Sequence, residues 1–229
     1  MSRWFVPKMK MSDILLANSN ILLLLPRLGI KLGFGDRSVI EVCQQNQVSP
    51  LFVIMVCNCY TFDDYEPDVS TFSNDDLRSL VPYLVASHNY YVNERLPHIE
   101  RHLNHVAAQA GMRYAESLHK FFLDYRDEVV FHFAYEEANV FPNIEKCLSN
   151  QPMSKTSTGF MSKSHDAIVD KLSDLTQIIF KYVPINGLDE ELNELVFAIL
   201  QLSFDLEKHA MIEDKIVLPL LARQEAGRK

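Results

Sequence analysis

The chain has 229 residues, 48% hydrophobic and 23% charged, with only seven glycines and ten prolines; this leaves room for a substantial core and excludes collagen-like, disordered and low-complexity chains. Thirty acidic against 22 basic side chains give a net charge of −8 with no offsetting basic face, so neither nucleic acid nor membrane is an expected partner. The longest apolar run, Ile21 to Leu25, cannot span a bilayer, Met1 to Lys10 lacks a signal-peptide core, and Cys43, Cys57, Cys59 and Cys147 read as reduced thiols, which together predict a cytoplasmic location.

Apolar residues recur at spacings of three and four, while sustained alternation is scarce, and this predicts an all-α protein. A small helical N-terminal domain is expected over residues 1–72, with helices at Ser12 to Leu25, Ser38 to Gln47 and Ser49 to Cys59. The acidic, aromatic, turn-rich segment Thr61 to Asn74 reads as a linker. Residues 73–229 follow as the second domain, with periodic stretches near 75–109, 112–147, 157–183 and 189–222. Ser73 or Asn74 can cap the first stretch, Pro97 should kink it, and Gly187 before Asp189-Glu190-Glu191 marks a stop and restart.

The second domain contains an internal repeat. HFAYEEANVFP begins at His132 and HAMIEDKIVLP at His209, an offset of 77. The same offset pairs SHNYYV around His88 with SHDAIV around His165. At i and i+4 a histidine and a glutamate share one helix face, so His132 with Glu136 and His209 with Glu213 form two clamps. In an antiparallel hairpin, residues at equal depth are equidistant from the turn. The midpoints between successive histidines fall at residue 110 beside Gly111, at 148–149 within CLSNQPMS, and at Gly187, all plausible turns. The four histidines should therefore share one level of an up-down-up-down four-helix bundle.

Four imidazoles and two carboxylates projecting into a core would be costly without partners, and a metal supplies one. Six nitrogen and oxygen ligands without thiolate exclude the usual structural zinc cage, and two carboxylates able to bridge favour a dinuclear first-row site, with iron the first choice. Each metal would take two histidine nitrogens and a share of both glutamates. An oxo or hydroxo bridge then leaves one position open for O2 or NO.

A single H-x-x-x-E is most often a solvated pair, but two copies at one offset with matching outer histidines reverse that weighting. His98, His102 and His105 lie 10 to 17 residues beyond His88, about 15–25 Å at 1.5 Å per residue, and cannot join the same site; His119 fails likewise. His98 and His102 read as a solvated pair. Tyr90, Tyr91 and Tyr135 read as packing residues in preference to hydrogen-bond donors to the ligands; Glu137 and Asp214 read as solvent-facing, with one of them binding back to a ligand histidine as the lesser alternative; and Phe131, Phe133, Phe141, Leu206 and Leu218 read as core around the site.

The pattern His88, His132-x-x-x-Glu136, His165, His209-x-x-x-Glu213, with VFP and VLP after the clamps, resembles the hemerythrin-like HHE cation-binding domain. More closely, it resembles that domain in the di-iron proteins that repair iron–sulfur clusters after nitrosative and oxidative stress. The leading domain is similar to that family's short N-terminal domain through LPRLGIKLGFGDRSVIEVCQQNQVSP. It departs at Lys31-Leu32-Gly33-Phe34, where the family usually has a vicinal cysteine pair after Gly-Ile. The resemblance implies a hemerythrin-like four-helix bundle with a small N-terminal helical domain, two iron ions, diatomic gases as ligands, iron–sulfur client proteins, and docking or homodimerisation through the N-terminal domain. A gas-binding or sensing module without repair activity shares the same ligands.

Overall fold

The computed structural model describes residues 3–110, 112–153, 158–182 and 189–226. The described residues form no strand beyond one isolated bridge between Lys10 and Ser38, and the protein is all-α. No described helix is long and apolar enough to cross a membrane. The turns expected at Gly111 and Gly187 lie outside the described residues.

Short polar side chains set the first boundaries. The helix expected over Ser12 to Leu25 stops early, with α1 at Met11–Ala17, a 3-10 turn at Ser19–Leu23 and the short α2 at Leu24–Arg27. Asn18 causes the break. Its backbone is extended, its Oδ1 accepts from the Asn20 N–H, and its Nδ2 donates to the Tyr60 carbonyl, so it competes with helical hydrogen bonding. Ser38 and Glu41 form a capping box that starts α3, Val39–Asn46. Ser49 caps α4, Pro50–Thr61, with proline at its first position. Residues Phe52 to Tyr60 are buried without interruption, which identifies α4 as a helix enclosed on all sides.

The first expected long stretch is four segments. Ser73 and Asp76 exchange hydrogen bonds at the entry to a 3-10 turn, Asp76–Ser79, followed by α5, Leu80–Tyr90, a π-turn at Tyr91–Arg95, and α6, Leu96–Ala110. Pro97 is the cause of the π-turn, since it lacks an N–H and its ring clashes with a carbonyl one turn back; widening the turn removes the clash. Pro219 acts alike. Helix α10, Asp189–Ile212, passes through a π-turn at Glu213–Val217 into α11, Leu218–Ala226. At Pro142 the helix breaks instead, between α7, Met112–Asn139, and α8, Phe141–Leu148. The remaining long helix is α9, Thr158–Tyr182.

Contacts divide the chain into two units. One comprises 1–87, 141–155 and 211–229. Within it, the segment read as a linker contains a 3-10 turn at Val69–Thr71 and is tied down by Lys215, whose Nζ donates to the carbonyls of Asp63 and Tyr65 and pairs with Glu66. The expected turn after α8 is present: Asn150 has φ 56°, and the Gln151 N–H donates to the Lys146 carbonyl at 2.7 Å.

The other unit comprises 88–140 and 156–210 and contains α6, α7, α9 and most of α10. Its contacts run in antiparallel order. Tyr91, Arg95 and His102 meet Asp205, Ala198 and Glu194 respectively, so residue numbers fall along α10 as they rise along the first helix. On α7, Glu128 pairs with Lys171 and His132 with His165 of α9, while Glu100 of α6 pairs with Arg126. This is the up-down-up-down four-helix bundle. Leu103, Phe122, Tyr125, Leu172, Leu175 and Ile199 are among the residues of its continuous apolar core.

Candidate metal centre

Helix geometry delivers the six expected ligands from four α-helices and one π-turn. His88 comes from the last turn of α5, His132 and Glu136 from one face of α7, His165 from α9 and His209 from the end of α10. Glu213 lies one turn beyond His209, as the first residue of the π-turn. All six are buried, and both glutamates are completely so.

The imidazoles converge on Glu136. His132 Nε2 lies 3.1 Å and His165 Nε2 3.4 Å from Glu136 Oε1, while His88 Nε2 lies 3.5 Å from Glu136 Oε2. The Nε2 atoms of His88 and His209 are 3.1 Å apart. One donor atom from each of His88, Glu136, His209 and Glu213 falls within 4.8 Å of the others, and the same holds for His132, Glu136, His165 and Glu213. Such spacings of about 3–3.5 Å are those of donors that each sit about 2.1 Å from a shared ion. Glu136 Oε2 and His132 Nδ1 are buried and form no hydrogen bond among the described residues, a state a carboxylate tolerates poorly unless a cation faces it. The donor set fits a metal of intermediate softness.

The surroundings are aromatic and aliphatic. His88 stacks on Phe133 with centroids 4.0 Å apart, and Tyr91 meets the ring of His209 edge-on at 5.5 Å. The Tyr91 hydroxyl donates to the Asp205 carbonyl. A cavity of about 10 Å³, room for a single water-sized molecule, opens beside His132, His165 and His209, and Phe133, Ile168 and Leu206 wall it.

One expectation is corrected. Phe131 is 65% exposed rather than core. At 100° per residue, the buried residues Val129, His132, Phe133 and Glu136 define an arc of α7 from which Phe131 points about 150° away. Phe133, Phe141 and Leu206 are buried as expected, and Leu218 is half-buried. For Glu137 the lesser alternative holds. It sits at the edge of the same arc, its side chain 44% exposed, and its Oε1 lies 2.9 Å from His88 Nδ1. Partial burial and the adjacent Glu136 carboxylate push Glu137 above the ordinary carboxylate range. Its position at the border of the apolar arc was the signal available in the sequence. Asp214 is exposed, as expected.

The other histidines stay apart from the cluster. The rings of His98 and His102 lie 4.5 Å apart, and His102 faces Glu194 at 4.0 Å. Burial, then the charges of His102 and two arginines, lower the pKa of His98. His119 faces Glu100. No disulfide joins the four cysteines, all of which are buried, and burial pushes the Cys43 thiol up to about 12 and Cys57 higher still, so neither offers a reactive thiolate.

A family model described as the hemerythrin HHE cation binding domain matches residues 80–221. No curated protein matches the chain.

Proposed function

The chain belongs to the hemerythrin HHE cation-binding family, and from that premise we propose that His88, His132, Glu136, His165, His209 and Glu213 hold a di-iron centre. The orientation of Glu136 carries this reading. One of its oxygens faces His132 and His165 while the other faces His88, the posture of a carboxylate that bridges two ions rather than serving one. Bound iron would supply a redox-capable cation with a position open to O2 or NO. The residues do the remainder: the imidazoles fix the ions without adding charge, the glutamates offset it, and Phe133, Ile168 and Leu206 limit water in the adjoining cavity.

The physiological role we propose is support of iron–sulfur cluster repair or protection under nitrosative or oxidative stress, in the cytoplasm, by iron donation or NO handling. Residues 73–229 would form the iron-holding domain and residues 1–72 the part that docks client proteins or a second copy. No cysteine occupies positions 31–34, and the four cysteines elsewhere are buried, so the chemistry is assigned to the centre rather than to thiols. The small apolar cavity favours a second reading, a gas-binding or sensing module without repair.

The test begins with protein expressed with ample iron. About two irons per chain, with an oxo-bridged ferric absorption, is the expected result; one metal per chain, or zinc in preference to iron at equal supply, overturns the di-iron reading. Restoration of an NO-damaged iron–sulfur enzyme then separates the two roles, since a sensor binds NO without restoring activity.

A further inference from the structure

His88 uses its two ring nitrogens for different tasks. Nδ1 lies 2.9 Å from Glu137 Oε1, and Nε2 turns inward, 3.1 Å from His209 Nε2 and 3.5 Å from Glu136 Oε2. The ring is 2% exposed and stacked on Phe133. Stacking fixes the plane of an imidazole but not which nitrogen points inward, because a half-turn about the Cβ–Cγ bond preserves the plane. Glu137 supplies the missing instruction. An ionised carboxylate can only accept, so its contact with Nδ1 places the proton there, and a neutral imidazole protonated at Nδ1 has its lone pair on Nε2.

The position of Glu137 suits this task. At the border of the buried face of α7, the carboxylate keeps part of its hydration while one oxygen reaches a fully buried ring. The pair therefore differs from a solvated surface ion pair, which contributes little. His132 provides an internal contrast, since its Nδ1 has no hydrogen-bond partner among the described residues.

We propose that Glu137 is a positioning residue of the centre, holding His88 in the Nδ1–H form so that Nε2 is directed at the cation. The role goes beyond the six ligands. Its consequence for iron rests on the metal reading above, whereas the state of the His88 ring is a property of the chain alone.

The experiment uses the full chain and two variants, Glu137→Ala and Glu137→Gln. Nitrogen-15 NMR of the imidazoles in metal-free protein at pH 8 should show His88 protonated at Nδ1 in the wild type. The same form should persist in Glu137→Gln, whose amide oxygen still accepts, and be lost to a mixture in Glu137→Ala, while His132 stays unchanged throughout. In iron-loaded protein, Glu137→Ala should weaken iron retention against a chelator by about 10–100-fold and shift the charge-transfer bands. Glu137→Gln should weaken retention by less.

An unchanged His88 ring in Glu137→Ala, or an Nε2-protonated ring in Glu137→Gln, overturns the proposal. Wild-type iron retention in both variants does so too. A fall in the melting temperature of metal-free Glu137→Ala with no change at the His88 ring would show a merely structural role. A wild-type chain that holds no iron defeats the di-iron reading instead, and the His88 ring still decides for or against Glu137. Should the alanine variant not fold, Glu137→Gln supplies the deciding spectrum.

Discussion

Asn58 and Glu136 are both almost fully buried, yet their surroundings differ in kind. Asn58, on α4, accepts from the Phe5 N–H at 2.9 Å and donates to the Phe5 carbonyl at 3.2 Å, and its side chain also meets that of Tyr65, so a buried amide is completed by its own neighbourhood. The same self-sufficiency recurs nearby in the Ser38–Glu41 capping box and in Asn18, whose side chain joins Asn20 to Tyr60 and Thr61. Glu136 is instead ringed by imidazole nitrogens that crowd one another as closely as they approach it. The first region closes its hydrogen bonds with its own atoms. The second is arranged around a partner of opposite charge, and folding alone does not complete it.

The largest expected effect comes from removing that partner. Chelation should cost the iron-loaded protein about 4 kcal/mol, or roughly 10 °C in the melting temperature read by helical circular dichroism. The emission of Trp4, the single tryptophan, should not change at 20 °C, because its ring packs against Phe62 and Tyr65. Equal melting with and without iron would erase the contrast between the regions.

Next comes Glu136→Ala, which removes the oxygens facing three histidines and should lower iron content from about two per chain to below one. His102→Ala and His119→Ala should leave iron content unchanged, as neither residue reaches the cluster. Metal analysis of the three variants checks this, and loss of iron from His102→Ala would count against the site.

In the self-sufficient region, Asn58→Ala should destabilise by about 2–3 kcal/mol by leaving the Phe5 N–H and carbonyl buried without partners. Iron per chain should not change. Urea midpoints paired with metal analysis test both halves of that statement, and loss of iron would blur the contrast.

The smallest effect belongs to Asp76. The Ser49 and Ser73 hydroxyls, then the Ser73 N–H, hold its carboxyl below the ordinary range. A depressed carboxylate stabilises the fold above its unfolded value, near 3.8, and the contribution disappears as pH falls through the lower folded value. Asp76→Ala should therefore cost at most about 1 kcal/mol at pH 6, allowing for solvent screening, and the difference from wild type should shrink toward pH 2. A difference independent of pH would mean that packing rather than charge is lost.

The helical class, the 77-residue offset and the set of histidines that meet were legible in the sequence because they follow from helix period and residue spacing. Residues four apart share a face, and residues equidistant from a turn share a level, whatever the side chains around them. Asn18, Phe131 and the choice between the two readings of Glu137 were not legible in the same way. The break at Asn18 depends on the carbonyl of Tyr60, 42 residues away, and the role of Glu137 on a ring 49 residues earlier. Phe131 is apolar by composition, but only the arc that α7 buries decides that it faces water. The prolines show the division most plainly. The sequence places Pro97, Pro142 and Pro219 where a helical hydrogen bond must be lost, while packing decides whether the helix breaks, as at Val140, or widens into a π-turn, as before Pro97 and Pro219. A missing donor is a covalent fact, and the way the backbone absorbs it depends on which neighbours hold the residues on either side.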